Sequence, residues 1–128
     1  MSVVNGAGLL TTDFLNVVFA VMNERTRQDE KWGDQSHLPD GTGPSVRWYG
    51  SSDLILWEKS ASIAACDAKD RCQVHTENGT LTWLDILVEE VAEAFAEDDP
   101  TKLRAELVQV AAVAMQWIEA IDIRGDGR

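Results

Sequence analysis

The last third of the chain contains a long apolar segment in which polar residues are rare. Between Glu106 and Ile118 the polar residues are Glu106, Gln109 and Gln116, and all the others are apolar. At about 100° per residue these three lie along one edge of a helix, and Glu106 falls inside the apolar sector. The segment therefore predicts a helix packed against the core, with a carboxylate on its buried side.

A second predicted helix lies near the N-terminus. Its predicted N-cap is Thr12 or Asp13, and Gly33 stands where a glycine would end the helix after Trp32. The apolar stripe of this helix predicts its core contacts, which are Phe14, Val18 and Val21. The same face continues with Arg25, Gln28 and Trp32. This change of character indicates either a functional surface or a helix that leaves the core.

Helical spacing also covers the middle of the chain. A helix is predicted to begin near Asp53 and to carry Leu54, Trp57, Ala61, Ala64 or Ala65, and Ala68. Thr82 and Asp85 predict a capping box at the start of the next helix. Asp99 and Pro100 predict the cap and first residue of the last helix, which should run to about Ile121 and form an antiparallel hairpin with its predecessor.

No segment alternates between apolar and polar residues with a period of two, so no strand is predicted. The expected fold class is all-α, with residues 1–128 forming a single domain. Residues 33–52 are rich in turn-forming residues, and a loop of this length predicts a mobile lid.

Composition restricts the possible partners. The chain has 22 acidic and 11 basic residues, a formal net charge of −11, which disfavours nucleic acid polymers and anionic membranes. A small phosphorylated substrate remains compatible, because divalent cations held by carboxylates reverse the local field. No basic leader precedes the apolar run at residues 17–22, which is too short to span a membrane, so a cytoplasmic protein is expected. Cys66 and Cys72 predict neither a disulfide nor a zinc site.

Four glutamates lie on one side of the third predicted helix, at spacings of three and four residues. They are Glu89, Glu90, Glu93 and Glu97, and the apolar stripe on the other side is Leu84, Leu87, Val88, Val91 and Phe95. Taken alone, this pattern is equally typical of a solvated acidic face.

The last helix favours a metal site instead. A desolvated carboxylate at Glu106 is costly unless a cation or strong donors compensate it. Glu90 and Glu93 would face Glu106 and Gln109 across the hairpin, and together these four residues offer the hard oxygen ligands that Mg²⁺ prefers, with Mn²⁺ as a possible substitute.

These motifs resemble those of the all-α nucleoside triphosphate pyrophosphohydrolase superfamily, the MazG-like and dimeric dUTPase-type proteins. The family pattern EExxE followed by ExxD is matched at residues 89–93 and 106–109, and residues 24–33 are similar to the N-terminal motif of short MazG-like proteins. The resemblance implies a MazG-like bundle of four to five helices. It also implies Mg²⁺-dependent hydrolysis of a (deoxy)nucleoside triphosphate to the monophosphate and pyrophosphate, and assembly as a homodimer or homotetramer.

The resemblance also assigns roles to individual residues. Glu90 or Glu89 would be the catalytic base, and the metal ligands would be Glu90, Glu93, Glu106 and Gln109. The nucleotide would be bound by Gln28, Lys31 and Trp32, with Arg25 and His37 as further substrate-binding residues. One departure from the family pattern is Gln109, a neutral amide where the motif has an aspartate.

Two other functions remain open at this stage. Gln109 is compatible with a module that binds or sequesters a nucleotide without hydrolysing it. A purely structural helical bundle is the other alternative, and it predicts that Glu106 is exposed or salt-bridged to Arg104 or Lys102. The apolar surface of so short a chain predicts a homo-oligomer in either case.

Overall fold

A computed structural model describes residues 2–5, 8–48 and 59–125 of the chain. In the described part, a β-hairpin precedes four helices. The elements are β1 (Ser2–Asn5), β2 (Gly8–Thr11), α1 (Thr12–Trp32), α2 (Ala61–Glu77), α3 (Trp83–Phe95) and α4 (Pro100–Ile123). One compact unit contains the hairpin, α1 and the end of α4, and a second unit, residues 40–114, contains α2, α3 and the first part of α4. The assignment of the whole chain to one domain stays a prediction.

The four helices agree with the predicted all-α class, and the hairpin is an addition to it. β1 and β2 pair antiparallel, with Ser2 opposite Thr11 and Val3 opposite Leu10. The prediction that the chain has no strand is therefore wrong for these eight residues. Each strand has only four residues, and the apolar ones are adjacent in the sequence, so no alternation with a period of two can be seen.

Helix α1 has nearly the predicted bounds. Its N-cap is Thr11, one residue before the predicted cap, and the Thr11 side chain accepts a hydrogen bond from the Phe14 amide at 3.1 Å. Gly33 ends the helix with a φ of 70°, which favours glycine, and its amide donates to the Asp29 carbonyl. The predicted core stripe is wrong at Val21, which is 40% exposed and borders an open cavity, whereas Val17 is fully buried.

Helix α2 begins later than predicted. The predicted start near Asp53 lies outside the described residues, but Ser60 has an extended backbone and its side chain caps the helix at the Ile63 amide. A continuous helix through residues 53–68 is therefore wrong. Before the cap, Arg47 and Ser60 form an antiparallel bridge, so the chain reaches α2 in an extended conformation.

Helices α2 and α3 pack through small side chains. The buried residues of the two helices include Ala61, Ala64, Ala68 and Cys72 on α2 and Ala92 and Ala94 on α3. The predicted stripe on α3 is wrong at Leu84, which is 55% exposed. Alanine allows two helix backbones to approach closely, so the buried face of α3 is centred on its alanines rather than on its larger side chains.

The α3–α4 hairpin follows the sequence prediction closely. Thr82 and Asp85 form the predicted capping box, and the Asp99 carboxylate accepts a hydrogen bond from the Thr101 amide at 3.0 Å where α4 begins at Pro100. The helix continues two residues beyond its predicted end. Leu103 is buried on α4, but Leu107 and Val108 are 50% and 54% exposed, so the prediction of a helix fully packed in the core holds only in part.

Part of the predicted lid is attached to the end of α3. The Gly43 amide donates to the Phe95 carbonyl at 2.9 Å, and the Thr42 hydroxyl donates to the Glu97 carbonyl at 2.6 Å. The rings of Trp48 and Phe95 also lie 5.6 Å apart. Residues 42–48 therefore satisfy backbone carbonyls that the end of a helix leaves unpaired.

Two smaller predictions concern the cysteines and the membrane. Cys66 is exposed and Cys72 is buried, and both are free thiols, as predicted. Within the described ranges, no helix combines the length and the apolar character that a membrane crossing requires.

Candidate functional site

Three of the predicted metal ligands come together in the second unit. Glu90 and Glu93 on α3 and Glu106 on α4 each contribute a carboxylate oxygen to a group whose members lie within 4.8 Å of one another. The i, i+3 spacing places the first two on neighbouring turns of one face, and the short turn before α4 brings the third opposite them. All three side chains are half-buried. We call these three residues the carboxylate cluster.

The carboxylate cluster is electrostatically unfavourable when all three residues are charged. Burial raises the pKa of Glu90, and the charges of Glu106 and Glu89 raise it further. Burial, followed by the charges of Glu90 and Glu106 and a hydrogen bond to Glu106, raises the pKa of Glu93 to about 7. Such shifts mean that the cluster needs a bound proton or a cation near neutral pH.

Two oxygens of the cluster lack protein partners. The Oε2 atoms of Glu90 and Glu106 are buried, and neither has a hydrogen-bond partner among the residues that the structure describes. A buried carboxylate oxygen without a partner is costly, and a metal ion would compensate it. Three oxygen donors with no histidine or thiolate among them suit Mg²⁺ or Mn²⁺ rather than zinc.

Glu89 lies at the edge of the carboxylate cluster. Its charge raises the pKa of both Glu90 and Glu93, so it is close to them. On the side facing α2, Glu89 also acts on Cys72, whose pKa burial raises to about 11 with Glu89 as the next cause. The two predicted candidates for the base therefore differ: Glu90 belongs to the cluster, and Glu89 flanks it.

Gln109 is in a different environment from the cluster residues. It lies three residues beyond Glu106 on α4, and its side chain is exposed. The structure thus brings Glu90, Glu93 and Glu106 together, whereas the metal role of Gln109 stays a prediction.

The predicted nucleotide-binding residues border a separate cavity in the first unit. This cavity, of about 350 Å³, lies at the C-terminal end of α1 and is lined by Arg25, Gln28 and Trp32 together with Asp29 and residues 33–36. The Lys31 ammonium lies 4.6 Å from the centre of the Trp32 ring, a cation–π distance. Trp32 is 58% exposed, so one part of its ring surface is available to a ligand.

His37 is not part of this lining. It follows the last lining residue, Ser36, and its side chain is exposed. The neighbouring turn is fixed by the Asp34 carboxylate, which accepts a hydrogen bond from the Ser36 amide at 2.9 Å; this bond lowers the pKa of Asp34. The structure therefore brings together Arg25, Gln28 and Trp32, with Lys31 against the tryptophan, and leaves His37 outside.

Sequence reasoning missed a polar network centred on Asp85, which is 4% exposed. Its carboxylate accepts hydrogen bonds from Arg71 Nε at 2.9 Å and from His75 Nδ1 at 2.7 Å. The bond from His75, with others from Thr82 and Arg71, holds the pKa of Asp85 well below its ordinary value. The available signal was the i, i+4 spacing of Arg71 and His75 on α2, which gives one carboxylate two donors on the same face.

No family model, no curated protein and no solved structure matches this chain. The resemblance to the all-α pyrophosphohydrolases accordingly rests on the three short motifs, and membership of that superfamily stays a prediction.

Proposed function

We propose that this protein is a Mg²⁺-dependent hydrolase that cleaves a (deoxy)nucleoside triphosphate into the nucleoside monophosphate and pyrophosphate. The observation that supports this proposal is the carboxylate cluster, in which three oxygens lie within 4.8 Å of one another and two buried oxygens lack partners. The motif resemblance at residues 89–93 and 106–109 then selects triphosphate hydrolysis among the reactions that a bound divalent cation can serve.

The cluster residues have the chemistry that this reaction needs. Glu90, Glu93 and Glu106 would hold the ion, and their oxygens are the ligand type that Mg²⁺ prefers. When bound, the ion neutralises the charge that develops on the transferring phosphoryl group. It would also remove the repulsion within the cluster, because the cation replaces the proton that the raised pKa of Glu93 reflects.

The remaining carboxylate is suited to proton transfer. Water attacks the α-phosphorus, the bond to the oxygen bridging the α- and β-phosphates breaks, and that oxygen leaves with pyrophosphate. Glu90 or Glu89 would accept the proton that the attacking water loses. Glu89 flanks the cluster and is left over by the three-residue metal set, which makes it available for this role.

The cavity at the end of α1 is proposed to bind the nucleotide. Its volume of about 350 Å³ lies within the range of small-molecule sites. Trp32 offers an aromatic face for a base, while Arg25 and Lys31 supply positive charge for phosphate oxygens. Gln28 would contribute hydrogen bonds.

One observation argues against a purely structural role. That alternative predicts Glu106 to be exposed or paired with Arg104 or Lys102. Instead Glu106 is half-buried, and its Oε2 atom lacks a partner within the part of the chain that the structure describes. A nucleotide-binding module without turnover is the second candidate, and it is favoured by the neutral, exposed amide at Gln109.

A pyrophosphate-release assay tests the proposal. Purified protein is incubated with each ribo- and deoxyribonucleoside triphosphate in the presence of Mg²⁺, of Mn²⁺ or of EDTA. Release with Mg²⁺ and none with EDTA is the expected result, and it names the substrate. No release, combined with a nucleotide-dependent rise in melting temperature, would favour the binding module. The absence of both effects would contradict a nucleotide function.

A further inference from the structure

A second apolar surface lies on α4, away from the carboxylate cluster. Leu103, Leu107, Val108 and Ala111 line an open cavity of about 380 Å³, together with Pro100 and two charged residues, Asp40 and Arg104. We call this surface the α4 face. Leu107 and Val108 are 50% and 54% exposed although both are large and apolar. Contiguous apolar surface of this kind typically marks an interaction site.

The α4 face is separate from the proposed reaction site. Leu103, Leu107 and Ala111 follow one another at spacings of four residues, so they form one stripe along the helix. Val108 is about 200° around the helix from Glu106, and Glu106 itself is half-buried towards α3. The exposed stripe therefore cannot be explained as part of the metal centre.

The charges of the α4 face are few and of opposite sign. Asp40 and Arg104 are both exposed, and in the described ranges of the chain neither forms an ion pair. The face is thus neutral in a chain whose net charge is −11. Two copies of this chain repel each other over most of their surfaces, and a neutral apolar face is where that repulsion is weakest.

We propose that the α4 face is the contact between two copies of this chain related by a two-fold axis. A two-fold contact joins the same patch on both copies, so each residue meets its counterpart's neighbour reciprocally. A patch with one cation and one anion at its edge is self-complementary under this symmetry. Arg104 of one copy then pairs with Asp40 of the partner subunit, and the reverse pair forms at the other end, while Leu107 and Val108 are buried between them.

Charge reversal tests this arrangement directly. Sedimentation velocity over a wide range of protein concentrations gives the dimer dissociation constant of the natural chain. Arg104→Asp replaces two ion pairs per dimer by two like-charge contacts and is expected to raise that constant at least about tenfold. The double variant Asp40→Arg with Arg104→Asp exchanges the two charges and is expected to restore dimerisation. Leu107→Ser is expected to raise the constant about a hundredfold.

Lys102→Asp is the matched control, because it makes the same charge change on α4 outside the cavity lining. Dimerisation that is unaffected by Lys102→Asp, weakened by Arg104→Asp and restored by the double variant supports the proposal. A natural chain that sediments as a monomer at every concentration overturns it, and so does a dimer that Leu107→Ser and Arg104→Asp leave intact. Equal weakening by Lys102→Asp and Arg104→Asp also overturns it, because net charge rather than the face would then control association. Since the readout is mass, these outcomes are independent of catalytic activity.

Discussion

Glu93 on α3 and Glu106 on α4 face each other across the helical hairpin, with carboxylate oxygens no more than 4.8 Å apart. Burial, the neighbouring Glu90 and Glu106 charges and a hydrogen bond between Glu93 and Glu106 raise the pKa of Glu93 to about 7. Without metal, the pair therefore retains a proton close to neutral pH. A divalent cation must displace that proton before it can bind.

This competition predicts how metal affinity depends on pH. The affinity for Mn²⁺ should increase by about tenfold per pH unit below pH 7 and level off above it, since one proton is released on binding. Isothermal titration calorimetry at several pH values, in buffers of different ionisation enthalpy, measures both the affinity and the released proton. Affinity that is constant between about pH 5.5 and 7.5 would contradict the assignment of Glu93 as a ligand.

The same pKa shift predicts the stability of the metal-free protein. The folded-state pKa of Glu93 is raised above its ordinary value of 4.5, so its stabilising contribution is present at low pH and is lost as pH rises through 7. The free energy of unfolding in EDTA should fall over this range by an amount on the order of 2 kcal/mol. Urea denaturation at a series of pH values measures it, with Glu93→Gln as the variant whose profile should be flatter. A rise in stability over the same interval would be incompatible with the shift.

Much of the helical hairpin could be predicted from the sequence because its signals are local. The capping box at Thr82 and Asp85, and the Asp99–Pro100 start of α4, depend on neighbouring residues only. The burial of Glu106 was predictable for a related reason, since its apolar neighbours lie on the same helix. The structure bears out these features.

The failures involve contacts between distant segments. Ser60 caps α2 at a point where the chain is already paired with residues 46–48, and nothing in the spacing of residues 53–68 indicates that pairing. Asp85 was identified as a cap, but its bonds to Arg71 and His75 depend on how α2 packs on α3. Tertiary packing, rather than local propensity, decided both cases.

Removal of the Asp85 carboxylate should destabilise the fold without altering the proposed metal ligands. Asp85→Asn leaves Arg71 and His75 with a weaker acceptor at a buried position, so the melting temperature is expected to fall by several degrees. Asp70→Asn, at an exposed position on α2, is the control and should have no effect. Because the pKa of Asp85 is depressed, its contribution is lost as pH falls into the acid range. Equal melting temperatures for the two variants would exclude Asp85 as a stabilising centre.

Trp32 is expected to contribute to nucleotide affinity through base stacking. Trp32→Ala should raise the KM for the triphosphate about tenfold, and Trp32→Phe, which keeps an aromatic ring, should raise it less. Trp32 is 58% exposed, so either variant is expected to fold. Steady-state kinetics with the preferred substrate separates the effect on KM from the effect on kcat. A Trp32→Ala variant with an unchanged KM would remove the α1 cavity from the proposed substrate site.

The carboxylate cluster is the basis of the proposed function, and direct binding of Mn²⁺ tests it most simply. Electron paramagnetic resonance of free Mn²⁺ is followed as protein is added at about pH 7.5, where Glu93 is largely ionised. The natural chain should bind the ion saturably, Glu106→Gln should lose most of that binding, and Glu119→Gln, on the same helix, should retain it. Pyrophosphate release should follow the same order. Saturable binding that is equal in the natural chain and in Glu106→Gln, or the absence of saturable binding in the natural chain, would contradict the metal centre.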